Sequence, residues 1–192
     1  MKKLTAITLA AVLALGVAAC GGTGAGGNSA TDDTQGKTPV DILNDVWADY
    51  EEDEKFAITG GDYENMVSDA PGTFGVTDGE VLDQLFGFPA DSTALIDDGA
   101  SMMHMMNQNT FTAAVYHVTD AKDVQTLADA LKENIMGRQW ICGFPDELAI
   151  YSVGEQYVVA AFGAEEAIDS FDESLETVYQ STKTLYEEDL RF

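Results

Sequence analysis

Basic side chains are scarce in this 192-residue chain: nine Lys and Arg stand against 34 Asp and Glu, a formal net charge of −25. Lys2 and Lys3 account for two of the nine, and the other seven are scattered. Nucleic acid is thereby excluded as a direct partner, because neutralising phosphates takes clustered Lys and Arg. Histidine and cysteine are equally thin, with two of each. There is no Cys-x-x-Cys and no G-x-S-x-G nucleophile elbow, the acidic stretches lack EF-hand spacing, and Cys142 has no protease signature around it. The chain reads as non-enzymatic and free of a cofactor. A hydrophobic fraction of 45% is ordinary for a globular protein, so the acidity marks a charged surface on a folded domain rather than a disordered chain.

Long apolar runs are also missing. The longest, Leu4 to Val17, has fourteen residues, short of the roughly 20 that span a bilayer. Following Lys2-Lys3, it has the form of a secretory h-region. It ends Val17-Ala18-Ala19-Cys20, which resembles the lipobox of bacterial lipoproteins, in which the cysteine sulfur receives diacylglycerol and becomes the new N-terminus. Ordinary cleavage after Ala19 is the competing reading. The lipobox predicts a signal peptide over 1–19, lipid on Cys20, and export to the outer face of the cell membrane. With Cys20 lipidated, Cys142 has no disulfide partner and reads as a small buried hydrophobe. Residues 21–37 (GGTGAGGNSATDDTQGK) carry almost no apolar side chains and read as a flexible tether. Gly22 to Gly27 formally matches G-x-G-x-x-G, but no strand precedes it and no helix follows.

Residues 38–192 read as one α+β domain. Thr38-Pro39-Val40-Asp41 is a helix start, with Thr as N-cap and Pro in the first turn, and an apolar stripe from Ile42 to Tyr50 follows. Residues 51–77 read as a long ordered loop with room for a short strand near Phe56–Ile58, and most of the acidic stretch 59–80 lies in it. A second helix covers Asp78 to Phe86, stopped by Gly87. Phe111–Val118 has strand composition, turned from the preceding segment by Asn107-Gln108-Asn109. Asp120 caps a third helix, Leu148–Val153 and Tyr157–Phe162 form a second hairpin, and Glu165-Glu166 open the last helix. A helix, a Gly-Phe-Pro corner and a hairpin thus occur twice, at Gly87-Phe88-Pro89 and Gly143-Phe144-Pro145, as an αββ pseudo-repeat. The expected architecture is a four-stranded, mostly antiparallel sheet with packed helices.

Three groups of residues stand out as candidate sites. Met102-Met103-His104-Met105-Met106 offers soft ligands suited to Cu(I), but strand alternation would send adjacent Met side chains to opposite faces as core filler. His117, near Gly99 on the partner strand, is too far along to join His104. Asp62, Glu64, Asp69 and Asp78 present oxygen ligands in the loop, in a chain where acidic clustering is expected by chance. Trp140, Phe144 and Phe88, at the two Gly-Phe-Pro corners, form a candidate apolar recognition patch.

Gly60-Gly61-Asp62, Asp69-Ala70-Pro71-Gly72, Met102 to Asn107, Phe111-Thr112 to Tyr116-His117-Val118 and Gln139-Trp140 to Pro145 together resemble a family of uncharacterised lipoproteins of Gram-positive bacteria. Some members carry the label "bacteriocin transport accessory protein". The resemblance covers residues 38–182 and implies a role beside peptide export, with no residue roles attached. The leading expectation is a lipid-anchored extracytoplasmic module that binds a protein or peptide partner. An export accessory and a metal-handling lipoprotein are the alternatives.

Overall fold

The computed structural model describes residues 33–141 and 143–191. The expected signal peptide, Cys20 with its expected lipid, most of the stretch read as tether, and Cys142 lie outside the described residues. The elements in chain order are α1 (Pro39–Asp49), β1 (Ile58–Gly60), β2 (Val67–Ser68), β3 (Gly72–Thr73), α2 (Gly79–Phe86), β4 (Ile96–His104), β5 (Phe111–Val118), α3 (Val124–Met136), β6 (Glu147–Val153), β7 (Tyr157–Gly163), α4 (Glu165–Val178) and β8 (Lys183–Asp189).

The sheet has eight strands, not the expected four, in the order β2-β1-β4-β5-β7-β6-β8, with β3 also paired to β4 and every pairing antiparallel. The four strands read from the sequence, β4 to β7, are its centre. Beyond them lie β1, beside the short strand expected near Phe56–Ile58, the missed β2 and β3, two residues each and too short for any periodicity, and the missed β8. KTLYEED in β8 is half charged because it pairs only with β6 and leaves its outer edge to solvent. Two glycines let the short strands close on β4: a Cβ on Gly60 would stand 2.1 Å from the backbone nitrogen of Gly72.

Helices cover both faces of the sheet. On one, α1 and α4 bury Ile42, Leu43, Val46, Phe171 and Leu175 against Met102, Phe111, Val115, Tyr151 and Val159. On the other, α2 and α3 bury Leu82, Phe86, Leu127 and Leu131 against Met103, Tyr116, Ile150 and Phe162. Double burial explains why β5 and β7, FTAAVYHV and YVVAAFG, read as continuous apolar runs without alternation. At the centre, Ala113 pairs with Ala161 and Ala114 with Ala160, small side chains that admit the helices closely.

Helix boundaries follow their caps. Thr38 and Asp41 form the capping box: Thr38 Oγ1 accepts from the Asp41 N–H at 3.3 Å and the Thr38 N–H donates to Asp41 Oδ2 at 2.9 Å. Gly87 ends α2 in the left-handed region at φ 67°. The two Gly-Phe-Pro corners do not correspond in space: Phe88 is fully buried, its ring tilted against Tyr116 with centres 5.0 Å apart, whereas Phe144 is 70% exposed.

The folded part begins before Thr38. Asp33, at the point where composition still reads as tether, accepts hydrogen bonds from the Ser181 N–H at 3.1 Å and from the Ser181 hydroxyl. Thr34 is buried, and the Tyr157 hydroxyl donates to the Lys37 carbonyl at 2.5 Å. A chain beginning at Lys37 is therefore expected to melt lower than one beginning at Asp33. Two hydrogen bonds to a carboxylate are worth about 2 kcal/mol, or about 4–8 °C in a domain of this size. Calorimetry of the two chains checks this; equal midpoints would show that the segment adds nothing.

Candidate binding face

The sheet has two chemically distinct ends. At one, His117 at the end of β5 pairs with Asp98 and Tyr157, its Nδ1 lies 2.5 Å from Asp97, and Asp33–Lys37 joins the domain. His117 falls one residue from the expected partner Gly99, and His104 lies at the opposite end of β4. The two histidines do not converge.

At the other end, β4 passes into the bend Met105–Asn107 and the 3₁₀ turn Gln108–Thr110 that leads into β5. Within the Met/His segment, Met102 and Met103 are buried on opposite faces of the sheet, as alternation predicts, while Met105 and Met106 leave the strand and stand 51% and 79% exposed. His104 holds the bend: its Nδ1 accepts from the N–H groups of Met106 at 3.2 Å and Asn107 at 3.3 Å, and its ring stacks on Phe56 at 5.3 Å. The thioethers therefore split among two core layers and the surface, and they share no centre with the imidazole.

The loop after α3 arrives at the same end. Asn109 Nδ2 donates to the Ile141 carbonyl at 3.2 Å and to the Gly143 carbonyl at 3.1 Å, tying this loop to the β4–β5 turn. Ile141 is 79% exposed, and Phe144 projects beside it. Of the three residues of the expected patch, then, only Phe144 is a surface group. Phe88 belongs to the core beneath α2 and α3. Trp140 is partly buried, its ring tilted against Phe162 with centres 5.1 Å apart and the Arg138 guanidinium 5.3 Å from its ring centre. The face that does form comprises Met105, Met106, Ile141 and Phe144. Two of its members were readable as large apolar residues next to an Asn-rich turn, but assigning all of Met102–Met106 to a strand hid them.

Two acidic runs lie on the α1/α4 side of the sheet, Glu51 and Glu54 beside Ser170, Glu173 and Thr177 of α4. Glu51, Glu52, Asp53 and Glu54, all exposed, follow α1 and lead to Phe56, which packs on His104 and Phe111. Glu165 and Glu166 open α4, anchored to the same turn by the Ala164 N–H donating to Thr110. Two cations stand close to these runs: Lys55 pairs with Glu52 at 2.9 Å, and Arg191 bridges Glu165 and Asp189 at 3.1 and 3.0 Å.

Two further acidic places offer carboxylate oxygens. In the 59–80 stretch the Asp62 carboxylate pays a burial penalty, yet hydrogen bonds from the N–H groups of Gly75, Asn65 and Glu64 and from the Asn65 side chain hold it below the ordinary aspartate range. Asp78 caps α2 through the Val81 N–H at 3.2 Å. These carboxylates organise the loop. A cleft of about 330 Å³ between α4 and the β6–β8 strands is lined by Glu147, Asp169, Asp172, Glu187 and Asp189. Among the described residues no group of three or more His, Cys, Asp or Glu is arranged to hold a metal ion. Within the cleft, burial and then the neighbouring Glu165 and Asp169 charges push the Glu147 carboxyl above its ordinary range.

No described helix is long and apolar enough to cross a membrane. Comparisons of the chain with protein-family models, with curated proteins and with solved structures each found no match. The surface itself is what bears on function.

Two outcomes are expected. Phe88→Ala should lose about 3–5 kcal/mol, the usual cost of emptying a buried aromatic site, whereas Phe144→Ser should stay within about 0.5 kcal/mol, as an exposed substitution does; urea melts separate them. Glu147→Gln should raise the thermal midpoint at pH 7 by no more than about 2–3 °C, because the repulsion it relieves is partly solvated. A carboxyl whose folded pKa is raised keeps its full stability below the unfolded pKa and loses it as pH rises through the folded value. The gain should therefore vanish near pH 3, and a gain persisting there would assign it to packing instead.

Proposed function

We propose that this chain is an exported, lipid-anchored binding module of the extracytoplasmic space, with no catalytic machinery, whose partner face is formed by Met105, Met106, Ile141 and Phe144. The observation that carries the reading is the placement of this apolar face at the end of the sheet opposite the point where the N-terminal segment joins. Large apolar side chains clustered on a surface otherwise rich in carboxylates are costly to leave in water and mark an interaction site. The eight residues of β5 separate the two ends by about 24 Å at 3.4 Å per residue. If lipid on Cys20 holds the chain at a bilayer, its binding face is directed away from that bilayer toward soluble or surface-bound partners.

The anchor is tested by Cys20→Ala. Because Val17-Ala18-Ala19-Cys20 resembles a lipobox, the substitution should shift the protein from the membrane fraction to the medium and abolish incorporation of labelled lipid. Membrane retention unchanged by the substitution, together with no lipid label in the wild type, would reject the anchored reading.

A further inference from the structure

We propose that the outer edge of β8 takes an extended cationic polypeptide segment as an added strand, with alternate Lys or Arg side chains seated in the acidic cleft between α4 and β8. Neither the apolar face nor the anchor is needed for it. β8 ends the strand order and pairs only with β6. In that ladder the Leu190 N–H donates to the Asp146 carbonyl. Antiparallel alternation then turns the N–H and C=O groups of Glu187 and Asp189, opposite Ala149 and Glu147, away from β6. Among the described residues no other backbone group takes them up. Their side chains share a side of the sheet with Ala149 and Tyr151, which belong to the core under α4. That helix packs on β6 and β7, and no residue of β8 enters its core, so the cleft of about 330 Å³ stays open along the edge. β8 starts just after Ser181, the partner of Asp33, and runs away from the attachment end.

Charge selects the strand that fits this edge. Glu147, Asp169, Asp172, Glu187 and Asp189 line the cleft, and Arg191, bridging Glu165 and Asp189, offsets only part of their charge. Asp172 Oδ1 is buried there without a hydrogen-bond partner among the described residues, an acceptor that costs free energy until a donor reaches it. Burial and the Glu165 and Asp169 charges already raise the Glu147 carboxyl above its ordinary range, so an entering cation relieves a repulsion present in the unbound protein. In an added strand, the residues opposite Glu187 and Asp189 project to the cleft side, and the residue between them projects to the α3 side. On the α3 side Met136 and Tyr186 border a shallow groove, and Glu188 is already paired with Lys132. Cationic residues alternating with apolar ones therefore suit both sides at once. A second copy pairing through β8 would set two acidic clefts side by side, a like-charge juxtaposition that disfavours it. The same charges oppose an anionic lipid surface, and residues 21–32 (GGTGAGGNSATD) contain no Lys or Arg. Backbone hydrogen bonds hold the segment, and the cleft discriminates for positive charge.

The test uses the full mature chain in phosphatidylcholine nanodiscs, with empty nanodiscs subtracted, and three synthetic peptides. They are Lys-Val-Lys-Val-Lys-Val-Lys, its Glu-for-Lys counterpart, and the Lys peptide methylated on its lysine backbone nitrogens, which keeps the charge and removes the strand-pairing donors. The first should bind about tenfold or more tightly than either of the others, and its affinity should fall roughly tenfold between about 50 and 500 mM salt. Asp169→Asn with Glu187→Gln, both exposed, should cost about tenfold, while Asp91→Asn with Glu155→Gln, exposed carboxylates placed elsewhere, should change binding less than about twofold. Met105→Ser with Met106→Ser should likewise leave it unchanged. Hydrogen exchange supplies the direct readout: bound peptide should slow the amides of Glu187 and Asp189 by about tenfold or more. Equal binding of the methylated peptide, or no added protection at those two amides, overturns the added strand. Equal binding of the Glu peptide, indifference to the Asp169/Glu187 pair, or loss of binding with the Met105/Met106 pair overturns the cleft as its selector. No binding of the Lys peptide overturns both.

Discussion

A sheet covered by helices on both sides is the constraint on which the rest depends. Each central strand must supply apolar side chains to two cores, so neither face of β5 or β7 can be polar, and the helices must come close enough to exclude water from both. The alanine pairs Ala113–Ala161 and Ala114–Ala160 meet the second demand at the middle of the sheet. Larger aromatics toward its ends, Phe111, Tyr116, Phe162 and Tyr151, fill the space where the helices diverge from the strands. Because the interior is used on both sides, the acidic residues fall on the helix flanks, the turns, the β8 edge and the ends of strands, as Asp97 and Asp98 do in β4 and Glu147 in β6.

That distribution also explains which parts of the fold can be read from the sequence. The helix starts at Thr38 and Asp78, the stop at Gly87 and the strands Phe111–Val118, Leu148–Val153 and Tyr157–Phe162 are local features, each fixed by a cap, a turn or a run of apolar residues, and all are found in place. β1, β2 and β3 are not local features. Their two or three residues become strands only by pairing at the edge of the sheet, β1 and β3 on β4 and β2 on β1, and the sequence signals they do carry are glycines at points of close approach. β8 failed for a different reason: an edge strand whose side chains are mostly solvated has the composition of a polar tail. The tether boundary was misplaced by the same logic, since Asp33 and Thr34 gain their role only from Ser181 at the far end of the chain.

For the candidate site, composition identified Phe144 but assigned it partners by sequence resemblance between two corners. Burial separates the two phenylalanines, because the Gly87 corner is pressed between α2 and α3 whereas the Gly143 corner lies beyond the end of the sheet. Met105 and Met106 were legible as apolar residues beside a turn. Their exposure depends on where β4 ends, and that is decided by His104 closing the bend with its ring nitrogen, an interaction no periodicity encodes.

The buried tyrosines give the domain a one-sided tolerance of pH. Burial raises the hydroxyls of Tyr50, Tyr116, Tyr151 and Tyr179 above the ordinary phenol range, with nearby carboxylates adding to the rise at Tyr50, Tyr151 and Tyr179. Their stabilising contribution is complete below the unfolded phenol pKa and is lost as alkalinity passes through the folded values, because the unfolded chain sheds protons that the folded one retains. The interior phenols thus resist ionisation one at a time and instead ionise together when the fold gives way. In strong base the absorbance of these four phenolates would rise as a single cooperative step, and the two cores would be lost in the same event.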